Sequence, residues 1–178
     1  MTLLTNQYTA AIPRSKGTYA LIMRLQAERL IQVGKLGLFV FPAGYYLYIG
    51  SAFGPGGLAA RLKHHLATDF STKSRHWHID YLRRWAPVTA VWLGEHSTPR
   101  EHDWAQQAGR LAGTSCPAPR FGASDCRCHA HLFHFSQSPE AESFSKALSL
   151  TFPGDRPMQI IGFVEQEAGR RSSGQFPY

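Results

Sequence analysis

The sequence predicts an α/β (α+β) sandwich in which a small antiparallel or mixed central sheet is flanked by helices. Strand-like segments crowd the first third of the chain, the apolar period then changes to that of a helix, and another strand-like segment separates later helical ones. The chain has 178 residues, 43% of them hydrophobic, which is enough for one domain with a real core.

Strands are predicted in the first fifty residues. Residues 17–25 are mostly β-branched, aromatic or apolar, and residues 30–33 form a second short segment of this kind. Residues 34–37 are typical of a turn, and strands at residues 38–41 and 45–49 follow. Strands this close in sequence normally pair antiparallel, because a parallel crossover needs a dozen or more residues.

The helical pattern begins after a glycine-rich loop at residues 51–57. Leu58, Leu62 and Leu66 recur at four-residue intervals, which is the spacing of an apolar stripe on a helix. The rest of the chain predicts helices at residues 78–85, 99–111 and 138–150, strands at residues 88–93 and 132–135, and a Cys/Pro/Gly/His-rich loop at residues 114–131.

Composition narrows the class of partner. Lys and Arg total 19 against 12 Asp and Glu, and the resulting net charge of +7 favours nucleic acid or an anionic surface. We find no secretory signal, and no apolar stretch approaches the ~20 residues of a membrane helix. Three cysteines are a poor disulfide framework. We therefore expect a soluble protein of the reducing cytoplasm with no membrane partner.

Candidate functional residues are densest where the strand at residues 45–49 gives way to the next helix. Arg61 and His65 lie four apart, so they share a helix face and are ~6 Å apart along its axis. Tyr48 lies at the strand end, and the free amides of the helix start could bind phosphate. These groups would suit phosphoryl transfer. The alternative is that Tyr48 is a core aromatic and Arg61 a solvated helix charge.

Several motifs, in this order, resemble those of the GIY-YIG endonuclease superfamily. Gly17-Thr18-Tyr19 and Tyr48-Ile49-Gly50 look like the two halves of its signature, with Thr in the middle of the first half. GLAARLKHHL is similar to the helix that follows, and RHWHIDYL and FGASDCRCHAHLFHF resemble the compact stand-alone branch called Uri-type.

The resemblance covers residues 16–135 and departs from the family in one respect. The half-motifs are separated by 28 residues, from Ala20 to Leu47, which is longer than in the commonest members. We interpret the extra length as an inserted strand pair. The resemblance implies a nuclease domain at residues 17–135, with a leader at residues 1–16. A C-terminal helix and extension at residues 136–168 and a flexible tail at residues 169–178 would follow.

The resemblance implies a metal-dependent endonuclease that hydrolyses phosphodiester bonds in nucleic acid, with DNA as the expected substrate. Tyr19 and Tyr48 would line the cleft, and one would help deprotonate the attacking water. Because a tyrosine pKa is near 10, a nearby cation or metal-bound water must assist. Arg61 would hold the scissile phosphate and offset charge in the transition state. Glu101 would hold one Mg²⁺ or Mn²⁺ ion.

Other candidates rest on residue type and position. His65 could carry a proton or bind phosphate. Glu101 has an alternative reading as an acid that complements the helix dipole, and Glu95 is its nearest competitor for the metal. The residues expected to contact nucleic acid are Lys35, Ser51, Lys63, His76 and His78.

Two clusters could bind a metal. His76, His78 and Asp80 could do so if extended, but a helix from His78 would separate them. The alternative is a structural network around a buried Trp77 that also supports Arg61 or His65.

The second cluster contains Cys126, Cys128, His129 and His131, with Cys116 upstream, and could hold zinc. Its Cys-x-Cys spacing is tighter than the usual knuckle, so Ser124 and Asp125 could instead cap a turn and fix the loop over the cleft.

Two functions from other classes stay open. One is a catalytically inactive nucleic-acid-binding module, against which the presence of both tyrosines, the arginine and a glutamate argues. The other is a zinc-stabilised interaction domain with an incidental basic surface. We recognise no second DNA-binding domain, so specificity is expected to be low or to come from a protein partner.

Overall fold

The computed structural model describes residues 12–67 and 77–163. Its strands are β1 (Gly17–Leu25), β2 (Arg29–Val33), β3 (Gly37–Phe41), β4 (Gly44–Ser51), β5 (Val88–Glu95), β6 (Leu132–Phe135) and β7 (Gln159–Gly162). Its helices are α1 (Gly57–Leu66), α2 (Ile79–Arg83), α3 (Glu101–Ala108) and α4 (Ala141–Thr151). None of the helices in these two ranges is long and apolar enough to cross a membrane.

A five-stranded antiparallel sheet lies at the centre, in the order β6-β4-β1-β5-β7. Strands β1 and β4 pair over almost their whole length, from Thr18 opposite Ser51 to Leu25 opposite Gly44. The predicted fold class is therefore confirmed, with the antiparallel form of the sheet.

The segment between the two half-motifs forms a separate two-stranded sheet. β2 and β3 pair antiparallel, and Gly34 takes a positive φ of 49° in the turn that joins them. Helix α2 packs against β2. The inserted strand pair predicted from the long spacing is therefore present.

Helices cover both faces of the central sheet, which explains why β1 is apolar almost throughout. Side chains alternate between faces along a strand, so Tyr19, Leu21 and Met23 lie on one face with the apolar stripe of α1 and α2. Ala20 and Ile22 lie on the other face, beneath α3 and α4. Residues buried on this second face include Leu47, Ile49, Trp92, Trp104 and Phe144.

Several element boundaries differ from the predictions, and one strand was not predicted. Helix α2 is shorter than residues 78–85, and α3 begins at Glu101, two residues after Pro99. Strand β7 was not predicted: it is mostly exposed on the edge of the sheet, so its sequence lacks the alternation of a half-buried strand. The tail at residues 169–178 and the leader up to residue 11 lie outside the described residues.

The amides at the start of α1 are not free to bind phosphate, contrary to expectation. The Leu58 N–H donates to the Ser15 carbonyl at 2.9 Å, and the Ala59 N–H donates to the Pro13 carbonyl at 3.0 Å. Residues 12–16 thus lie against the helix start and supply the acceptors that its first turn lacks internally.

Candidate functional site

A cleft of about 500 Å³ opens at the end of the sheet where β1 begins and β4 ends. The antiparallel register places Tyr19 opposite Gly50 and Tyr48 opposite Leu21, so the two tyrosines are diagonal neighbours on one face. Both tyrosines line the cleft, together with Ser51 at the end of β4. Pairing of the two strands thus brings the two half-motifs together.

Helix α1 adds two side chains to the same cleft. Leu58 and Leu62 are fully buried against the sheet, which turns Arg61 and His65 toward the tyrosines. This is the shared helix face predicted from their four-residue spacing.

Glu101 completes the group from the first turn of α3. The N–H of Arg100 donates a hydrogen bond of 3.3 Å to the Thr18 hydroxyl, which ties the start of α3 to the start of β1. The competing Glu95 is engaged elsewhere: it accepts a 2.6 Å hydrogen bond from Ser15 and lies 3.5 Å from Arg156. The structure therefore brings Glu101 to the cleft, and Glu95 is not among its lining residues.

Tyr19 and His65 form the most buried polar contact of the cleft. The Tyr19 hydroxyl and His65 Nε2 are joined by a 2.7 Å hydrogen bond, and each residue is 2% exposed. Burial lowers the pKa of His65 well below its usual value, and nearby Arg83 lowers it further. Burial raises the pKa of Tyr19 well above 10, with a further contribution from Tyr48. Both groups are therefore uncharged at neutral pH.

Tyr48 is a core aromatic and a cleft residue at once. Its ring meets Phe121 edge-on, with ring centroids 6.2 Å apart. Burial raises the pKa of Tyr48, and the opposing effect of Arg61 is smaller. The nearby cation expected to help a tyrosine lose its proton is present, but desolvation outweighs it.

Arg61 lies over an aromatic ring at the cleft wall. Its guanidinium lies 4.7 Å from the centre of the Trp77 indole ring, a cation–π arrangement. Within the described residues Arg61 makes no ion pair with a carboxylate. Its charge therefore stays available to an anion in the cleft.

Trp77 was expected to be buried, and this is wrong, because it is 37% exposed at the cleft wall. The support that it was expected to give Arg61 or His65 is present. Its ring lies against Arg61 and contacts the rings of His64 and His65, with centroids 4.8 and 5.7 Å away.

The extended triad of His76, His78 and Asp80 is not formed. Asp80 lies within α2, whose N-cap is His78, and His76 lies outside the described residues. His78 lines the cleft, where its Nδ1 accepts a 3.1 Å hydrogen bond from the Gly122 N–H. Asp80 instead lies 3.3 Å from Arg83 and 3.6 Å from His64. Among the residues that the structure describes, His64, His65 and Asp80 form one of two groups of side chains that could hold a metal ion.

The lysines expected to bind nucleic acid are not part of the cleft. Lys35 is exposed in the turn between β2 and β3, and Lys63 is exposed on α1. Neither lines the cleft. Alternate residues of a helix do not share a face, so Lys63 points away from the side that Arg61 and His65 occupy.

The other group that could hold a metal ion combines the Cys/His loop with α3. Its ligand atoms come from His102, Cys126, Cys128 and His131, and all lie within 4.8 Å of one another. Cys116 is not a member, although it lines a groove of about 840 Å³ that His102, Cys126 and Cys128 also line. Burial, and then a hydrogen bond with Cys126, raise the pKa of the Cys128 thiol to about 11.

Two residues of this region were missed as functional candidates. The spacing of residues in the sequence does not connect His102 with the Cys/His loop. His102 lies on α3, and the fold alone brings it next to the loop. Asp125 was expected only to cap a turn, yet it lines the cleft as a second carboxylate beside Glu101. Its position after a serine in a loop is typical of a turn, so sequence alone indicates the turn first.

No curated protein and no solved structure matches the chain. One family model, described as a domain of unknown function, DUF123, matches residues 18–152. The match runs from β1 through α4 and includes Tyr19, Tyr48, Arg61 and Glu101. This family is GIY-YIG-like and of uncharacterised function. The chain belongs to the DUF123 family.

Proposed function

We propose that this protein is a metal-dependent endonuclease of the GIY-YIG type that hydrolyses a phosphodiester bond in nucleic acid, with DNA as the expected substrate. The observation that carries the proposal is the convergence of Tyr19, Tyr48, Arg61 and Glu101 on one cleft. They come from two strands and two helices, so their meeting is a property of the fold and not of sequence proximity.

Arg61 is the phosphate-binding group in this proposal. A guanidinium presents a planar fork of donors that matches phosphate oxygens, and stacking on Trp77 restricts its orientation. Because the group is held in place before substrate binds, little reorganisation is needed when negative charge grows in the transition state.

The Tyr19–His65 pair handles the proton of the attacking water. Tyr19 is too poor an acid to act as a preformed phenolate, since burial raises its pKa. A relay avoids this requirement: the Tyr19 oxygen takes the water proton while its own proton passes to His65 Nε2 over the 2.7 Å hydrogen bond. The relay uses the neutral His65 tautomer that carries its proton on Nδ1, so the Nε2 lone pair is free to accept the proton. The water oxygen bonds to phosphorus as the bond to the leaving oxygen breaks, and solvent protonates that oxygen. His65 then returns its proton to Tyr19, which releases one proton to solvent.

Glu101 has the features of a ligand for Mg²⁺ or Mn²⁺. Its side chain is 24% exposed, and its nearest basic group within the described residues is His102, whose Nε2 lies 3.7 Å from Glu101 Oε1. A carboxylate of this kind is not neutralised by arginine or lysine, and hard cations favour such oxygen ligands. Asp125 offers a second carboxylate on the same cleft. When bound, the cation would stabilise charge on the phosphate and the leaving oxygen.

The decisive experiment is a cleavage screen over single-stranded, duplex, flapped and branched DNA, with matching RNA, in Mg²⁺, Mn²⁺ or EDTA. Cleavage that needs the metal and is lost in Arg61→Ala supports the proposal. Binding without cleavage of any substrate would favour the inactive nucleic-acid-binding module. Neither binding nor cleavage would favour the interaction domain. Lys63→Ala removes a positive charge from the same helix outside the cleft and is the matched control for Arg61→Ala.

A further inference from the structure

Beside the cleft, one side chain of α3 and three side chains of a distant loop bring their ligand atoms within 4.8 Å of one another. His102 lies in the first turn of α3, and Cys126, Cys128 and His131 lie in the loop that leads to β6. His102 Nδ1 is 3.2 Å from Cys128 Sγ, and Cys126 Sγ is 3.6 Å from His131 Nε2.

These two nitrogen–sulfur distances are close to the edge of a tetrahedral coordination shell, and all four ligand atoms lie within 4.8 Å of one another. With zinc–sulfur bonds of about 2.3 Å and zinc–nitrogen bonds of about 2.0–2.1 Å, a nitrogen and a sulfur on one tetrahedral ion lie about 3.6 Å apart. We propose that His102, Cys126, Cys128 and His131 bind one Zn²⁺ ion in a Cys₂His₂ site. Two thiolates and two imidazoles select zinc over the hard cations that Glu101 would take.

The ligand set differs from the one that sequence spacing suggested. Sequence spacing suggested Cys116 as the ligand that joins Cys126, Cys128 and His131. Cys116 is not near enough to these side chains to contribute. His102 completes the set from α3. The four ligands therefore form a closed structural site, which leaves no position for substrate and assigns the ion a structural role.

The zinc would join the loop to the start of α3. His102 directly follows Glu101 in the chain. His131 lines the cleft, and β6 begins at the next residue. The ion thus fixes the cleft wall that carries Glu101 and Asp125. Zinc binding itself does not depend on the proposed hydrolysis. The consequence for Glu101 rests on the proposed hydrolysis.

The test begins with metal content, which needs no substrate. Full-length protein purified without chelator and then dialysed against metal-free buffer should retain one zinc ion per chain by elemental analysis. Cys128→Ser and His102→Gln should each retain much less than one ion. Cys116→Ser is the matched control, because Cys116 lines the adjacent groove but lies outside the group, and it should retain the full amount. His129→Gln, an exposed histidine of the same loop, should also retain it.

Thiol reactivity supplies a second measurement if a variant fails to fold. In wild-type protein one of the three cysteines should react quickly with a thiol reagent, and all three should react after a strong chelator is added. Cobalt substitution should give thiolate charge-transfer absorption and the visible bands of a tetrahedral ion. Absence of zinc from the wild type, or equal zinc loss in Cys116→Ser and Cys128→Ser, would overturn the site. Zinc that is present without nuclease activity would leave the site intact and refute only the hydrolysis.

Discussion

The hydroxyl of Tyr19 lies 2.7 Å from Nε2 of His65, and the two side chains are almost completely buried together. Tyr19→Phe keeps the ring but removes the relay, so we expect single-turnover cleavage to slow ~100-fold or more. Loss of the partner leaves a buried imidazole nitrogen unsatisfied, which costs about 1–3 kcal/mol of unfolding free energy. Cleavage assays and urea unfolding measure the two effects separately. Cleavage by Tyr19→Phe at the wild-type rate would refute the relay.

Arg61→Ala should slow cleavage ~100-fold or more, because it removes a positioned charge at the transition state. Leu58 and Leu62 carry the packing of α1, so the variant should melt close to the wild-type temperature and still bind DNA. Quantitative cleavage of one oligonucleotide by Arg61→Ala and by the Lys63→Ala control checks this. An equal loss in both variants would show a general charge effect instead of a specific one.

Glu101→Gln should reduce cleavage strongly at ordinary Mg²⁺ while preserving the shape of the side chain. An amide is a weaker ligand for a hard cation, so raised Mn²⁺ should restore part of the activity. Titrating both metals against the cleavage rate gives the shift in metal requirement. Glu95→Gln is the matched control, since Glu95 pairs with Ser15 and Arg156. Glu101 is not a metal ligand if both variants show the wild-type metal dependence.

Unfolding free energy should fall as the pH drops below about 6.5, the ordinary pKa of histidine. The pKa of His65 is lowered in the folded state, chiefly by burial. Below pH 6.5 the unfolded chain therefore binds a proton that the folded chain does not. His65→Gln should reduce the slope of stability against pH by up to about 1.4 kcal/mol per pH unit. Other histidines with a lowered pKa, including His78 and His96, contribute to the remaining slope. Urea unfolding of both proteins between pH 5 and 8 makes the comparison, and identical slopes would contradict it.

DNA affinity should fall steeply as salt rises, because the net charge of +7 favours binding through phosphate contacts and counterion release. Fluorescence anisotropy between 50 and roughly 200 mM salt gives the slope of log affinity against log salt. A flat response would argue against a phosphate-dominated interface.

Lys35→Ala should leave the cleavage rate at saturating DNA unchanged, since Lys35 lies outside the cleft.

Local sequence patterns predicted most of the fold. Most of the errors concern features that depend on exposure or on contacts between residues far apart in sequence. The stripe of Leu58, Leu62 and Leu66 predicted α1 because packing on a sheet repeats every turn. β7 escaped notice because an exposed edge strand has no such repeat. Trp77 was expected to be buried within a structural network, although it lies at the cleft wall with Arg61 over its ring.

The candidate site shows the same division. The strand end and one helical turn were enough to group Tyr48 with Arg61, whereas Tyr19 was assigned to the cleft by the resemblance to a family. Glu101 could be chosen over Glu95 only by its resemblance to a family pattern, and His102 could not be found at all. Its approach to Cys128 depends on how α3 docks against the loop, which no local spacing encodes.

The ring of Tyr19 lies directly across the backbone of Gly50, its partner in the β1–β4 register. A Cβ at position 50 would overlap the phenol ring, so the glycine that ends one half-motif makes room for the tyrosine that ends the other. The two half-motifs are therefore sterically dependent on each other. A substitution such as Gly50→Ala should be tolerated only when position 19 shrinks as well. Anyone transplanting this cleft to another scaffold must move both strands in register.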